Sequence, residues 1–310
     1  MTEILPRIVA VVGPTASGKT ALAIELAKLL NGEIISCDSM QIYRGMDIGT
    51  AKPTAEEAEG IPHHMIDIVD PSESFSAADY APLAKKATDD ILTRGKLPIF
   101  CGGTGLYLDS VITANDYADI ETDLTLRASL LEEAKKNGAD ALWQRLFEVD
   151  PESAAAIHKN NIKRVARALE IYISSGVTKT EWDRRSRTRP APYETVIIAL
   201  DRERDELYSR INRRVDIMIE SGLENEVRSL VDSGRLPRSS TAAQAIGYKE
   251  IIEYFDGKST LDEAVEQIKS ATRHYAKRQL TWFRRNPTVN WIKSTDNFED
   301  IVNIAKKLLT

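Results

Sequence analysis

Apolar residues recur along this chain with two different periods. Continuous runs at residues 8–12, 97–101 and 196–200 read as strands buried on both faces, the pattern of a parallel sheet covered by helices. Residues 33–36 read as a further strand, 63–68 as a short one, and Trp291-Ile292 as a last one. Between them the period changes to that of amphipathic helices. One runs from the first loop to about Leu30, and one from a Ser76 cap to about Thr93. Others are predicted at about 204–221, 223–233, 242–255, 261–285 and 298–309, with a helix opening at Leu106-Tyr107. The stretch 39–60, punctuated by Gly45, Gly49, Pro53 and Gly60, reads as loop.

From about Asp119 to Ser186 the pattern is helical throughout, with helices at 122–136, 139–147 and 161–174. A helical block between strands of one sheet reads as an insertion. The expected architecture is therefore α/β: a P-loop NTPase-like parallel sheet flanked by helices, with an inserted all-helical domain. Residues 1–118 and 190–310 form the core, and 119–189 the insertion.

Charge adds a second kind of segregation. The chain carries a formal −6 overall, yet residues 159–189 hold nine bases against three acids, and 269–285 hold six bases and no acid. Two cationic segments in an acidic chain suggest a polyanionic partner; two solvated helix faces are the plainer reading. Cys37 and Cys101 lie in strand-like runs without metal-ligand spacing and read as reduced, buried residues. No apolar run reaches the roughly 18 residues that a membrane helix needs. No signal-peptide pattern opens the chain, so a cytoplasmic protein is expected.

The chemistry begins at Gly13-Pro14-Thr15-Ala16-Ser17-Gly18-Lys19-Thr20, a phosphate-binding loop between a strand and a helix. Gly13 and Gly18 let backbone N–H groups turn toward an anion, and the new helix adds the positive end of its dipole. Lys19 supplies a point charge, and the Thr20 hydroxyl suits Mg2+. Asp38, at the end of the second strand, is a candidate general base or else a helix cap for 39–45. Ser39 and Gln41 beside it suit the reading of a base edge. Thr104, on the second glycine-rich turn Gly102-Gly103-Thr104-Gly105, is placed at the mouth of the same sheet or caps its helix. Arg210, Arg213 and Arg214 follow the last core strand, where one of them suits a phosphate clamp and pairing with Glu203 or Glu206 is the alternative. At about 100° per residue, Arg273, Lys277 and Arg284 fall within roughly 40° of one another, opposite Tyr275 and Trp282. With Arg278 they form a cationic stretch suited to a nucleic-acid backbone. Arg164 and Arg167 share a face three apart, with Lys163 beside them. His63 and His64 point to opposite faces of a strand and read as structural.

Taken together the chain resembles the tRNA dimethylallyltransferase family, the tRNA isopentenyltransferases. The resemblance rests on the loop 13–20, on Asp38-Ser39-Met40-Gln41-Ile42-Tyr43 with its continuation to Pro53, on His63-His64-Met65-Ile66-Asp67 and on Gly102-Gly103-Thr104-Gly105-Leu106-Tyr107. Arg164-Val165-Ala166-Arg167-Ala168-Leu169-Glu170, Ala245-Ile246-Gly247-Tyr248-Lys249-Glu250 and Ala276-Lys277-Arg278-Gln279-Leu280-Thr281-Trp282-Phe283 follow in family order. The resemblance implies transfer of a dimethylallyl group from dimethylallyl diphosphate to the exocyclic N6 amine of the adenosine 3′ to the anticodon. It implies Asp38 as base, Thr104 near the reacting centre, and the diphosphate on Gly13, Thr15, Ala16, Ser17, Gly18, Lys19, Thr20 and Arg214 with Mg2+. It further implies tRNA contacts from Asp38, Ser39, Met40, Gln41, Thr104, Arg127, Lys163, Arg164, Val165, Ala166 and Arg167, joined by Arg273, Lys277 and Arg278. Position 163 is Lys where many relatives carry Gln or Arg. No zinc-finger tail of the eukaryotic kind follows, so the resemblance is to the bacterial type, expected to act as a monomer. An adenylate prenyltransferase or a P-loop small-molecule kinase is the alternative on the same fold.

Overall fold

The computed structural model describes residues 5–113, 123–188, 190–294 and 297–309, without the side chains of 124 and 186–188. It separates into two compact units, residues 1–112 with 193–310, and residues 113–192. The positions 119 and 189, where the sequence pattern set the edges of the insertion, lie outside the described residues, as do Thr122 and Arg189; the side chain of Arg187 does too.

Among the described residues the larger unit is built on six parallel strands: β1 (Arg7–Val12), β2 (Gly32–Ser36), β3 (His63–His64), β4 (Leu97–Gly102), β5 (Glu194–Asp201) and β6 (Val289–Lys293). They lie in the order β3-β2-β4-β1-β5-β6. The side-chain alternation of β1 shows why its apolar run is continuous. Ile8, Ala10 and Val12 enter the core on one face, while Val9 and Val11 enter the core on the other. Helix α1 (Lys19–Leu30) covers the second face, with Leu22, Ala23, Ile24, Leu26 and Ala27 in the same core as Ile301 and Ala305 of the closing helix. On the first face lie α3 (Ala77–Thr93), after the short α2 (Ala55–Ala58), and α4 (Gly105–Ile112).

The smaller unit contains α5 (Leu124–Asn137), α6 (Ala139–Val149), α7 (Pro151–Ala156), α8 (Ile162–Ser175) and α9 (Lys179–Thr188) around Leu130, Leu142, Leu146, Val165 and Leu169. Helices α7 and α9 go beyond the sequence expectation. The first starts at a proline whose preceding Asp150 accepts the Ser153 N–H, a start signal present in the sequence. Asp150 also accepts the N–H and hydroxyl of Thr180, which ties α9 to it.

After β5 the larger unit continues with α10 (Arg204–Glu220), α11 (Leu223–Asp232), α12 (Tyr248–Phe255), α13 (Leu261–Phe283) and, after β6, α14 (Phe298–Leu309). The continuous helix expected over 242–255 is corrected. A single turn at Ala242–Gln244 is followed by extended Ala245 and by Gly247 at φ +96°, a conformation that breaks the helix before Tyr248.

Candidate active site

The loops at the carboxyl ends of β1, β2 and β4 converge, as in open α/β sheets generally. In the first of them Gly18 adopts φ +99° and caps α1, while Ala16 is held at φ +62°. Three side chains fix this loop. Gln279 accepts the Thr15 N–H at 2.9 Å, Arg210 Nε donates to the Ala16 carbonyl at 3.0 Å, and Arg202 Nε donates to the Ser17 carbonyl at 3.1 Å. Lys19 Nζ donates to the Pro14 carbonyl at 3.0 Å. The buried Ser17 hydroxyl has no hydrogen-bond partner among the described residues.

Beneath this loop opens a cavity of about 310 Å³, large enough for a small ligand. Its polar wall includes Thr15, Lys19, Thr20, Asp38, Arg214 and Arg278. Its apolar wall includes Ile211, Val215, Met218, Ala245, Ile246 and Ile268. Of the three arginines on α10, Arg214 lines the cavity and Arg213 is exposed. Arg210 instead holds the loop carbonyl, and Glu206 pairs with Arg202. Burial lowers the pKa of Lys19, with Arg214 contributing, and burial also lowers that of Arg214, with Arg210 contributing. Two confined cations make this end of the cavity favourable for an anion.

Asp38 caps no helix. The residues after it form turns, and its Oδ1 accepts the Met40 N–H at 2.9 Å. Burial raises its carboxyl pKa, against the opposing pull of the Met40 and Gln41 backbone and of Lys19. The Thr104 Oγ1 accepts the Ser39 N–H at 3.1 Å and donates to Ser39 Oγ at 3.3 Å. The turn that carries Thr104 is glycine-rich because α13 presses on it. A Cβ at Gly103 would stand 1.9 Å from Gln279 Nε2, and one at Gly105 2.1 Å from the Trp282 ring. Gln279 donates to the Gly103 carbonyl with the same amide that accepts from Thr15, so it joins the two loops.

Gln41 lines the cavity with most of its hydrogen-bonding capacity used. Its amide nitrogen donates to the Thr50 and Ala51 carbonyls, and its oxygen accepts from Ser36. Only one acceptor lone pair remains for a ligand, which narrows the expected base-reading role. Met40 and Ser39 line the same cavity.

The basic stretches are more committed than their composition suggests. On α13, Arg273 donates to Asn212 and Lys269 pairs with Asp216 and Glu266; just after it, Arg284 reaches Asp201 at 3.6 Å. Lys277 is exposed with no ion pair among the described residues, and Arg278 stacks over the Tyr275 ring at 5.6 Å. Arg278 therefore belongs to the cavity face together with Tyr275. In the helical unit, Arg127 and Arg167 both bind the fully buried Glu170. Val165 and Ala166 are also fully buried, in the helical core. These two of the residues expected at tRNA pack inside α8's core, and Lys163 and Arg164 are the exposed cations of that helix.

His63 Nδ1 meets the Ile61 carbonyl at 2.8 Å and His64 Nε2 meets the Glu33 carboxylate at 2.7 Å. Among the described residues no group of three His, Cys, Asp or Glu is arranged to hold a metal. Cys37 and Cys101 are unbonded and lie in cores on opposite faces of the sheet. Sequence reasoning placed Gln279 and Tyr248 only within motifs and missed the structural parts of Arg202, Tyr275 and Glu226. For Glu226, Tyr275 and Gln279 the available signal was a polar residue on the apolar face of α11 or α13.

A family model described as IPP transferase matches residues 41–286. The tRNA dimethylallyltransferase of Halalkalibacterium halodurans is 52% identical over 303 residues, covering 98% of this chain and 94% of that protein. That of Bacillus subtilis is 53% identical, covering 93% and 91%. The crystal structure of a full-length tRNA isopentenylpyrophosphate transferase from Bacillus halodurans matches with a TM-score of 0.73 at 50% identity, over 98% of this chain and 97% of that one. A eukaryotic dimethylallyltransferase, captured in crystallographic snapshots acting on tRNA, matches with a TM-score of 0.84 at 31% identity, over 98% and 78%. The parallel sheet, the phosphate loop beside Asp38 and these likenesses agree, and the chain belongs to the IPP transferase family.

Proposed function

We propose that this protein transfers the dimethylallyl group of dimethylallyl diphosphate to the exocyclic N6 amine of the adenosine 3′ to the anticodon in tRNA, giving N6-(dimethylallyl)adenosine. One observation carries the reading: a single cavity combines an anion-favouring end, an apolar wall and a carboxylate of raised pKa. The diphosphate occupies the end lined by Thr15, Lys19, Thr20 and Arg214, on the backbone of Gly13, Ala16, Ser17 and Gly18. The five-carbon chain lies along Ile211, Val215 and Met218. An allylic C–O bond ionises readily once its leaving group is neutralised, and Lys19 and Arg214 stabilise the charge that develops there.

The exocyclic amine loses a proton as its new C–N bond forms. Asp38 takes that proton, a contribution worth about 10²–10⁴ in rate. Thr104, fixed by Ser39, holds the approach to the reacting amine. The anticodon-loop base must leave its stack to reach such a cavity. Lys163, Arg164, Arg127 and Arg167 contact tRNA from the helical unit, and Arg273, Lys277 and Arg278 from α13. The Thr20 hydroxyl, at the cavity end that would take the diphosphate, is the protein group that would hold Mg2+. When bound, Mg2+ supplies further neutralisation of the leaving group. No helix among the described residues is long and apolar enough to cross a membrane, in keeping with a cytoplasmic enzyme.

Mass spectrometry of nucleosides from unmodified tRNA incubated with protein, Mg2+ and dimethylallyl diphosphate tests the proposal. The expected result is dimethylallyl-adenosine beside the anticodon, lost in Asp38→Asn. Prenylation of free AMP, or ATP turnover, with tRNA left unmodified would overturn it.

A further inference from the structure

One carboxylate outside the cavity organises a whole wall of it. Glu226, in the first turn of α11, accepts three consecutive backbone N–H groups: Asp47 at 2.9 Å, Ile48 at 2.8 Å and Gly49 at 3.2 Å. The Tyr248 hydroxyl donates to the same carboxylate at 2.5 Å. Tyr248 is fully buried, and its ring lies so close to Gly49 that a Cβ there would stand 2.4 Å from Cε2. Burial, with Glu226 beside it, holds the Tyr248 phenol far above its ordinary pKa, so it remains a donor. The clamped segment continues into Thr50 and Ala51, whose carbonyls accept the Gln41 amide. Gly49, Thr50, Ala51 and Gln41 all line the cavity on the stretch that begins with Asp38. Glu226 itself does not line it.

We infer that Glu226 and Tyr248 are positioning residues for the acceptor: their carboxylate–phenol clamp sets the wall formed by Gly49, Thr50 and Ala51, against which the incoming adenine is seated. The inference rests on the reaction proposed above. The clamp touches neither the phosphate loop, which is held by contacts from α10 and α13, nor Arg214, which α10 carries. Its loss therefore moves acceptor binding and leaves donor binding alone. A turn-stabilising role without consequence for recognition predicts a lower melting temperature and no such division.

Steady-state kinetics with tRNA varied at saturating dimethylallyl diphosphate, and the reverse, separate these outcomes in Glu226→Ala, Glu226→Gln and Tyr248→Phe. The expected result is a rise of about tenfold in KM for tRNA in Glu226→Ala, with smaller rises in the other two. KM for dimethylallyl diphosphate stays within about twofold of the parent protein. Should Glu226→Ala fail to fold, Tyr248→Phe, which removes only one hydroxyl, carries the test with its smaller rise in KM for tRNA alone. An unchanged KM for tRNA, or equal rises in both constants, overturns the inference. Absence of product from the unsubstituted protein overturns the proposed reaction and this inference with it, so the two failures are told apart.

Discussion

A carboxylate acts as a base only above its pKa, and Asp38 sits where burial raises that threshold. Below its pKa Asp38 is protonated and accepts nothing, so kcat/KM falls as pH is lowered through it. The acidic limb of the profile is expected above the value of about 4 usual for aspartate. In Asp38→Asn the residual rate should show no such limb; a parent profile flat down to pH about 4 would remove Asp38 from the role. Arg214 is the complementary case. It makes no hydrogen bond or ion pair among the described residues, yet lines the cavity under burial that disfavours its charge. In the reaction proposed above, the diphosphate is the anion that meets it. Arg214→Ala should raise KM for dimethylallyl diphosphate by about 10–100-fold, the loss of a charge-assisted contact, and leave KM for tRNA nearly unchanged.

Elements follow from local sequence where burial is uniform, and resist it where contacts are distant. Strands β1, β4 and β5 were legible because residues buried on both faces leave an unbroken apolar run. The phosphate loop and Asp38 were legible because the loop chemistry is local. Gln279 and Glu226 were not, because each serves a loop more than 170 residues away in the chain. The broken helix at Gly247 illustrates the same limit, since its apolar spacing alone reads as continuous. At φ +96° and ψ −48° that position suits glycine only, although the space beside it admits a methyl group. Gly247→Ala should therefore cost about 1–3 kcal/mol through backbone strain, measurable by denaturant unfolding. In the helical unit, Glu170 gathers Arg127, Arg167 and the Asp123 N–H at a site with no exposure. Glu170→Gln leaves two arginines without their counter-charge. Both are partly solvated, so the loss should lie nearer about 1–3 kcal/mol than the larger cost of a wholly buried pair.

Across the whole molecule, net charge is a poor guide to what an RNA would meet. The two basic segments each sum to +6, but much of that charge is already answered inside the fold. Lys159, Lys179, Arg184 and Arg185 pair with Asp140, Asp183 and Glu181, Arg167 with Glu170, and Lys269 with Asp216. The cations left exposed and unpaired among the described residues include Lys163, Arg164 and Lys277. Counterion release counts phosphates actually neutralised, so the salt dependence of tRNA binding should reflect this smaller set. Each lost contact lowers the slope of log K against log salt by about 0.7–0.9. Lys277→Ala should flatten the slope by about one such increment. Lys269→Ala should leave it unchanged, because that ammonium is held between two carboxylates. Equal flattening by both substitutions would show that the RNA displaces the internal ion pairs, and that the raw charge of the segment is what binds it.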